Sequence, residues 1–302
     1  MTQETTPVTS RPPLWAGLTP AEHEIQYNPQ AAFPDFKDHQ AARAAANESA
    51  RVSLRADLDI PFGDHPLRRL DVYHAEGGHG PAPVHVFIHG GYWRAQDKAN
   101  FAFVAEPFVR RGIMAVVLNY ELGPASTLDG VAESALAGFA WVLREIGHHG
   151  GNTRRVTLSG HSAGAHLGAE ILAADWAAQG LDPAAIRGAV LISGIFDPTP
   201  TMTTSVQADL HLTPEIVARR NVEARPTLVE CPVAIVAGGL EPWHWIDQSY
   251  RYAHHLHRQG RDPEVRVLPG LGHFDIINQY QDAESPIARL CLGMARPGED
   301  AR

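Results

Sequence analysis

Apolar residues recur along this chain in two alternating rhythms. Short, nearly unbroken apolar runs, Val84-His-Val-Phe-Ile88, Ile113-Met-Ala-Val-Val-Leu118, Gly188 to Ser193 and Cys231 to Ala237, have the length and β-branched content of strands buried on both faces of a sheet, and Arg155 to Gly160 reads as the strand that leads into the turn at Ser162. Leu67 to His74 and Glu264 to Leu268 alternate apolar and polar residues and predict two further strands, the first preceded by the turn Phe62-Gly-Asp-His-Pro66. Between the runs the period changes to that of a helix. Leu128 to about Gly147 places Val131, Ala135, Phe139 and Val142 on one face, and a second helix runs from about Trp243 to Gln259. Strands alternating with helices predict a mostly parallel, doubly wound α/β sheet with helices on both faces.

The remaining stretches are connections and additions. Gly77 to Pro83 reads as a hairpin-like link. Residues 1–57, Pro-rich and then Ala-rich with a helical stretch from Asp38 to Ser53, read as an arm packed on a core that begins later and able to shape a pocket entrance. Residues 198 to about 230 follow a strand end with no strong strand of their own, as a small lid-like insertion would. With no internal repeat, 1–302 is expected to form one domain.

Composition narrows the classes. A hydrophobic content of 44% is ample for a core, and the net charge of -9 without any Lys/Arg run argues against nucleic acid or an anionic membrane as partner. The N-terminal residues lack an apolar signal region, and no apolar run approaches the ~18 residues of a membrane span. Two cysteines, Cys231 and Cys291, fit a reduced, cytoplasmic setting. The assembly expected is a homodimer.

Chemistry gathers at the carboxyl ends of the strands, where open α/β sheets carry their sites. Val156-Thr-Leu-Ser-Gly-His-Ser-Ala-Gly-Ala-His-Leu-Gly168 is a strand, a tight turn and a helix with Ser162 at the apex, and Gly160, Ala163 and Gly164 are small enough for strand and helix to approach closely. A serine needs a base, and a base needs an orienting acid. His273 lies beyond the last strand, and Glu241 follows the strand before it, so Ser162, Glu241 and His273 form the expected triad, with Asp197, Asp247 and Asp275 as other candidates for the acid. The glycine pair in His89-Gly90-Gly91 would let backbone N–H groups, with that of Ala163, form an oxyanion hole. Tyr92, Trp93, Trp243 and Trp245 fall near the same sheet edge and are the expected pocket walls, favouring an aryl group in a small-molecule amide or ester substrate. His148-His149 and His254, His255 and His257 lack the spacing and carboxylate partners of a zinc site, and no phosphate-binding glycine loop occurs, so neither metal nor cofactor is expected.

His89-Gly-Gly-Tyr-Trp93, Gly160-His-Ser-Ala-Gly-Ala-His-Leu167, Ser193-Gly-Ile-Phe-Asp197, Gly238-Gly-Leu-Glu241 with Gln248-Ser249, and Gly272-His-Phe274 together resemble the kynurenine formamidase-like branch of the α/β-hydrolase superfamily, as do Tyr27-Asn-Pro29 and Pro61-Phe-Gly63. The resemblance implies an α/β-hydrolase fold and a cofactor-independent serine hydrolase of small aryl formamides such as N-formyl-L-kynurenine, or of short-chain aryl esters. The chain departs from that pattern at Glu241, where many members have Asp, and at Asn221-Val222, where a Ser-Pro pair is expected. A general carboxylesterase and a catalytically silent small-molecule-binding fold are the alternatives.

Overall fold

The computed structural model describes residues 15–78 and 80–295. Among these, eight strands form one sheet: β1 (Ala56–Pro61), β2 (Arg69–Tyr73), β3 (Ala82–Ile88), β4 (Met114–Leu118), β5 (Gly151–His161), β6 (Ile186–Ile192), β7 (Val233–Gly238) and β8 (Glu264–Leu268). Their order is β1-β2-β4-β3-β5-β6-β7-β8, antiparallel for the β1/β2 and β2/β4 pairs and parallel from β4 onward. The helices are α1 (Pro20–Tyr27), α2 (Pro29–Ala32), α3 (Phe36–Ala42), α4 (Ala44–Ser53), α5 (Glu106–Val109), α6 (Leu128–Glu145), α7 (Ala163–Ala173), α8 (Gln207–Leu210), α9 (Pro214–Arg220), α10 (Trp243–Arg258) and α11 (Pro286–Ala295).

The unbroken apolar strands have a simple physical origin. Along β3, Val84, Val86 and Ile88 join the core that α6, α7 and α10 cover with Phe139, Leu167 and Leu256, whereas Phe87 joins the opposite core, capped by Phe108 of α5 and by Ile287 and Leu292 of α11. Successive side chains point to opposite faces, and both faces are dry, so every position is apolar or fully hydrogen-bonded. His85 obeys the second condition: wholly buried, it is joined to Thr157 Oγ1 (2.9 Å) and Ser159 Oγ (2.8 Å) and stacks on Phe108 at 4.1 Å. Tyr280 donates its hydroxyl to the same Ser159 Oγ at 2.9 Å.

Two expectations change at the antiparallel edge. The 77–83 link does not join paired strands: β4 lies between β2 and β3, because a strand running on from the link finds its parallel partner only after the crossover through α5. β1, four of its six residues exposed, carries Asp57, Leu58 and Asp59 outward and so lacks the apolar pattern that would announce it; its backbone pairing with β2 makes it a strand. The 198–230 segment forms α8, α9 and short 3-10 turns, without a strand among its residues. The arm is helical over more of its length than its Ala-rich stretch predicts, from Thr19, which closes a capping box with Glu22 onto α1, to Ser53, with breaks at Asn28, at residues 33–35 and at Arg43. Hydrogen bonds fasten it to the body: Tyr92 donates its hydroxyl to Tyr27 O (2.6 Å), His23 Nε2 donates to Pro200 O (2.8 Å), and Asn47 Nδ2 donates to Ala99 O (2.7 Å).

Candidate active site

β5 runs directly into α7, and Ser162 occupies the turn with φ 57° and ψ -119°, in the left-handed half of backbone space that costs a side-chain-bearing residue about 1–3 kcal/mol. The surrounding structure holds it there. Ser162 N–H donates to Ile192 O at the end of β6 (2.8 Å), and a Cβ on Gly164 would stand 2.1 Å from Ile88 O and 2.6 Å from His89 O, so only glycine lets α7 pass β3 at this distance. A Cβ on Gly160 would likewise meet Gly164 O at 2.1 Å.

The loop after β8 brings His273 to this serine. Ser162 Oγ lies 2.9 Å from His273 Nε2, and His273 Nδ1 lies 2.5 Å from Glu241 Oε1, with all three residues buried. Nδ1–H can donate only to the carboxylate, which leaves Nε2 as the acceptor of the serine hydroxyl proton. The second carboxylate oxygen accepts from Gly238 N–H (2.7 Å) and from Ser193 Oγ (3.0 Å), and Ser193 is itself held at φ 50°. The other three acids are elsewhere engaged: Asp197 caps Thr199 N–H, Asp247 pairs with Arg251, and Asp275 accepts from Gly272 N–H.

His161, beside the serine, was not singled out by sequence. Its Nε2–H donates to His273 O at 2.8 Å and its ring lies 4.9 Å from that of His273, so the serine turn and the histidine loop are tied together. Burial, with the positive form of His273 adding to it, holds His161 well below the usual histidine range, and it stays neutral.

Gly90 and Gly91 face Ser162 across the cleft. A Cβ on Gly90 would come within 3.1 Å of Ser162 Cβ, and Gly91 (φ 119°) has no room for one against Ala95 O at 2.1 Å. His89 Nδ1–H donates to Gly90 O at 2.7 Å; because a trans peptide sets C=O and N–H in opposite directions, this bond also fixes Gly91 N–H. No acceptor among the described residues takes up the N–H of Gly91 or of Ala163.

The aromatic walls require a correction. Tyr92 lines the cleft, but Trp93 does not: it is wholly buried, edge-on to His166 at 5.0 Å. Trp245 is also core, its ring 5.0 Å from the back of His273 and its Nε1–H donated to Ser193 O at 3.0 Å. Trp243 is 66% exposed on the outside of α10. Residues two apart on a helix point about 200° apart, so proximity to Glu241 in the chain could not place both tryptophans in one pocket. Phe274, next to His273 in the chain, is one missing wall, and the others come from far away: Pro29, Gln30, Gln40 and Arg43 of the arm, with Phe101. Their sequence separation hides them from any local pattern.

A strand-to-helix turn presenting a strained serine, on a mostly parallel sheet with a histidine and a carboxylate at neighbouring strand ends, defines the class: the chain belongs to the α/β-hydrolase fold family, whose model, described as alpha/beta hydrolase fold, matches residues 85–276. Within that class it is a kynurenine formamidase-like α/β hydrolase. It is 28% identical over 291 residues to the kynurenine formamidase of Danio rerio, covering 93% of this chain and 98% of that one, and 29% identical over 292 residues to that of Salmo salar, with the same coverage of each chain. Among solved structures, a putative thioesterase from Silicibacter sp. TM1040 superposes with a TM-score of 0.78 at 24% identity, over 90% of this chain and 99% of that one. An esterase from Pyrobaculum calidifontis gives 0.67 at 18%, over 87% and 92%. Among the described residues no helix is long and apolar enough to cross a membrane.

Proposed function

We propose that this hydrolase works through an acyl-enzyme on Ser162. The single observation that carries the reading is the continuous hydrogen-bonded line from Ser162 Oγ through the His273 imidazole to Glu241, at 2.9 and 2.5 Å. In the first half-reaction His273 Nε2 takes the serine proton as Oγ attacks the substrate carbonyl, and the tetrahedral oxyanion accepts from the N–H groups of Gly91 and Ala163, with the Gly90 backbone shaping the hole. His273 then returns the proton to the leaving amine or alcohol. In the second half-reaction water, deprotonated by the same nitrogen, attacks the acyl-serine and releases the acid. Glu241 keeps the proton on Nδ1 and stabilises the imidazolium.

The substrate class proposed is a small aryl formamide or short-chain aryl ester. The relatives named kynurenine formamidase favour formamide cleavage, and Tyr92, Phe101 and Phe274 give the cleft apolar faces suited to a planar group. The test is a paired activity screen of N-formylkynurenine and p-nitrophenyl esters of increasing chain length on wild type and Ser162→Ala. Turnover of the formamide and of acetyl but not octanoyl esters, abolished in Ser162→Ala, is the expected result. A preference for octanoyl esters with the formamide untouched would make the protein a general carboxylesterase, and turnover that survives in Ser162→Ala would overturn the nucleophile.

A further inference from the structure

Arg43 stands at the break between α3 and α4, on the wall of the cleft that holds Ser162, and is only 6% exposed. Its guanidinium lies over the rings of Phe101 (5.0 Å) and Phe103 (5.9 Å). Among the described residues its side chain has no carboxylate within salt-bridge distance and no hydrogen-bond acceptor, whereas Arg220, less deeply buried, has Asp129 for a partner. Burial draws it down only to about 10, so it is charged at neutral pH. Withdrawing a cation from water without a partner is costly, and a face-on contact with two phenyl rings returns a small part of that cost.

The electrostatics of the cleft are opposite to those of the chain. The protein carries -9 overall, yet the cleft is lined by Arg43 and Arg94 and by no Asp or Glu. Arg94 is already engaged by Asp209. Arg43 therefore presents an unanswered planar fork of N–H donors, the geometry that matches a carboxylate in bidentate fashion. A phosphate dianion would call for a second free cation, which the cleft lining does not offer.

Resting on the reading of Ser162 as nucleophile, we infer that Arg43 is the specificity-determining residue of this site, and that its substrates carry a carboxylate, apart from the scissile carbonyl, which Arg43 binds. The rings of Phe101 and Phe103 pack against the guanidinium and restrict its movement at the cleft wall. A fork held in place loses little freedom on binding.

The test uses acetoxyaryl carboxylates with zero to three methylenes between ring and carboxylate, each paired with its neutral methyl ester, on wild type, Arg43→Met and Arg43→Lys. Wild type is expected to favour the acid over the ester for at least one spacer. In Arg43→Met that ratio of kcat/KM falls by about 10- to 100-fold, carried by KM, and Arg43→Lys recovers part of it, since a point charge replaces a fork. Melting temperature should not drop in Arg43→Met by more than the lost ring contact explains. A ratio unchanged by Arg43→Met, or a loss that strikes acid and ester alike, would overturn the inference in favour of a packing role. If wild type turns over no pair, the same acids are titrated calorimetrically into Ser162→Ala: binding abolished by adding Arg43→Met upholds the anion site and faults the hydrolase reading, and binding absent or insensitive to Arg43 overturns the inference itself.

Discussion

Replacing Glu241 by glutamine tests the proposed relay at its least redundant point. The carboxylate accepts three hydrogen bonds, two of them on Oε2 from Gly238 N–H and Ser193 Oγ and one on Oε1 from His273. In the glutamine the atom opposite Gly238 N–H must remain oxygen, because an amide NH2 there would set donor against donor and leave a buried pair unsatisfied at about 1–3 kcal/mol. The amide nitrogen is thereby turned toward His273 Nδ1. It donates to that nitrogen, the imidazole proton moves to Nε2, and the ring can no longer accept from Ser162 Oγ. Recovering the productive tautomer requires the disfavoured amide orientation and forgoes a charge-assisted hydrogen bond to the imidazolium, about 1.5–3 kcal/mol more. The sum, about 3–6 kcal/mol, corresponds to a loss of roughly 10²- to 10⁴-fold in kcat, the upper end matching what carboxylate-to-amide changes cause in other triads. The measurement is kcat for p-nitrophenyl acetate in wild type and Glu241→Gln, with thermal melting to show that the fold persists and the rate of fluorophosphonate labelling of Ser162 falling in step. A kcat within tenfold of wild type at unchanged stability would refute the role of Glu241, and a larger loss in Asp197→Asn would move it there.

Three further outcomes follow from packing and burial. Burial pushes His85 down to about 3 and holds His161 well below the usual range; folding keeps both rings neutral, so below about pH 6.5 the unfolded chain binds more protons than the folded one and stability falls with pH. His85 alone should cost about 2 kcal/mol between pH 6.5 and 5, so denaturation midpoints should drop over that interval with a shallower slope in His85→Gln; a flat wild-type profile would contradict this. Gly164→Ala places a Cβ 2.1 Å from Ile88 O, a clash with backbone that can be relieved only by moving β5/α7 away from β3, so a loss of more than about 3 kcal/mol together with activity is expected, and a soluble variant with wild-type melting and turnover would show the close approach to be unnecessary. Trp243→Ala removes an exposed side chain outside the cleft and should leave kcat/KM within about twofold; a tenfold loss would return Trp243 to the substrate pocket.

The sheet and the serine turn were legible because both are local: a strand buried on two faces writes its apolar run into five or six consecutive residues, and a strand-to-helix turn must have small neighbours around its apex. Glu241 and His273 were found from chain order and strand ends, which fix where a loop emerges though not how a side chain points. What escaped depends on distance or on backbone alone. β1 is an edge strand whose exposed residues mix Asp57 and Asp59 with Leu58 and keep no apolar alternation, and the crossover that puts β4 between β2 and β3 is decided by pairing energies between segments far apart in the chain. The tryptophans misled because the residues nearest the site in sequence serve as its rear support, as Trp245 does behind His273, while the front wall is built by a helix pair more than a hundred residues upstream of Ser162. Thr19-Pro-Ala-Glu22 spells the capping box that opens α1, well ahead of the Ala-rich stretch.

That front wall has a consequence for how the protein can diverge. Ser162, Glu241 and His273 all sit in turns or loops that leave the carboxyl ends of the strands, whereas Gln40 and Arg43 ride on a hydrogen-bonded appendage that adds no strand to the sheet. Mutations in the appendage leave the register of β3, β5, β7 and β8 untouched, so on the proposed mechanism they can alter which molecules are admitted without disturbing the Ser162–His273–Glu241 alignment. Grafting residues 20–53 from a homologue of different preference, with Tyr92 and Ala99 kept as anchoring points, would then transplant selectivity as a cassette, and a lineage needing a new substrate could rebuild the entrance while inheriting the chemistry intact.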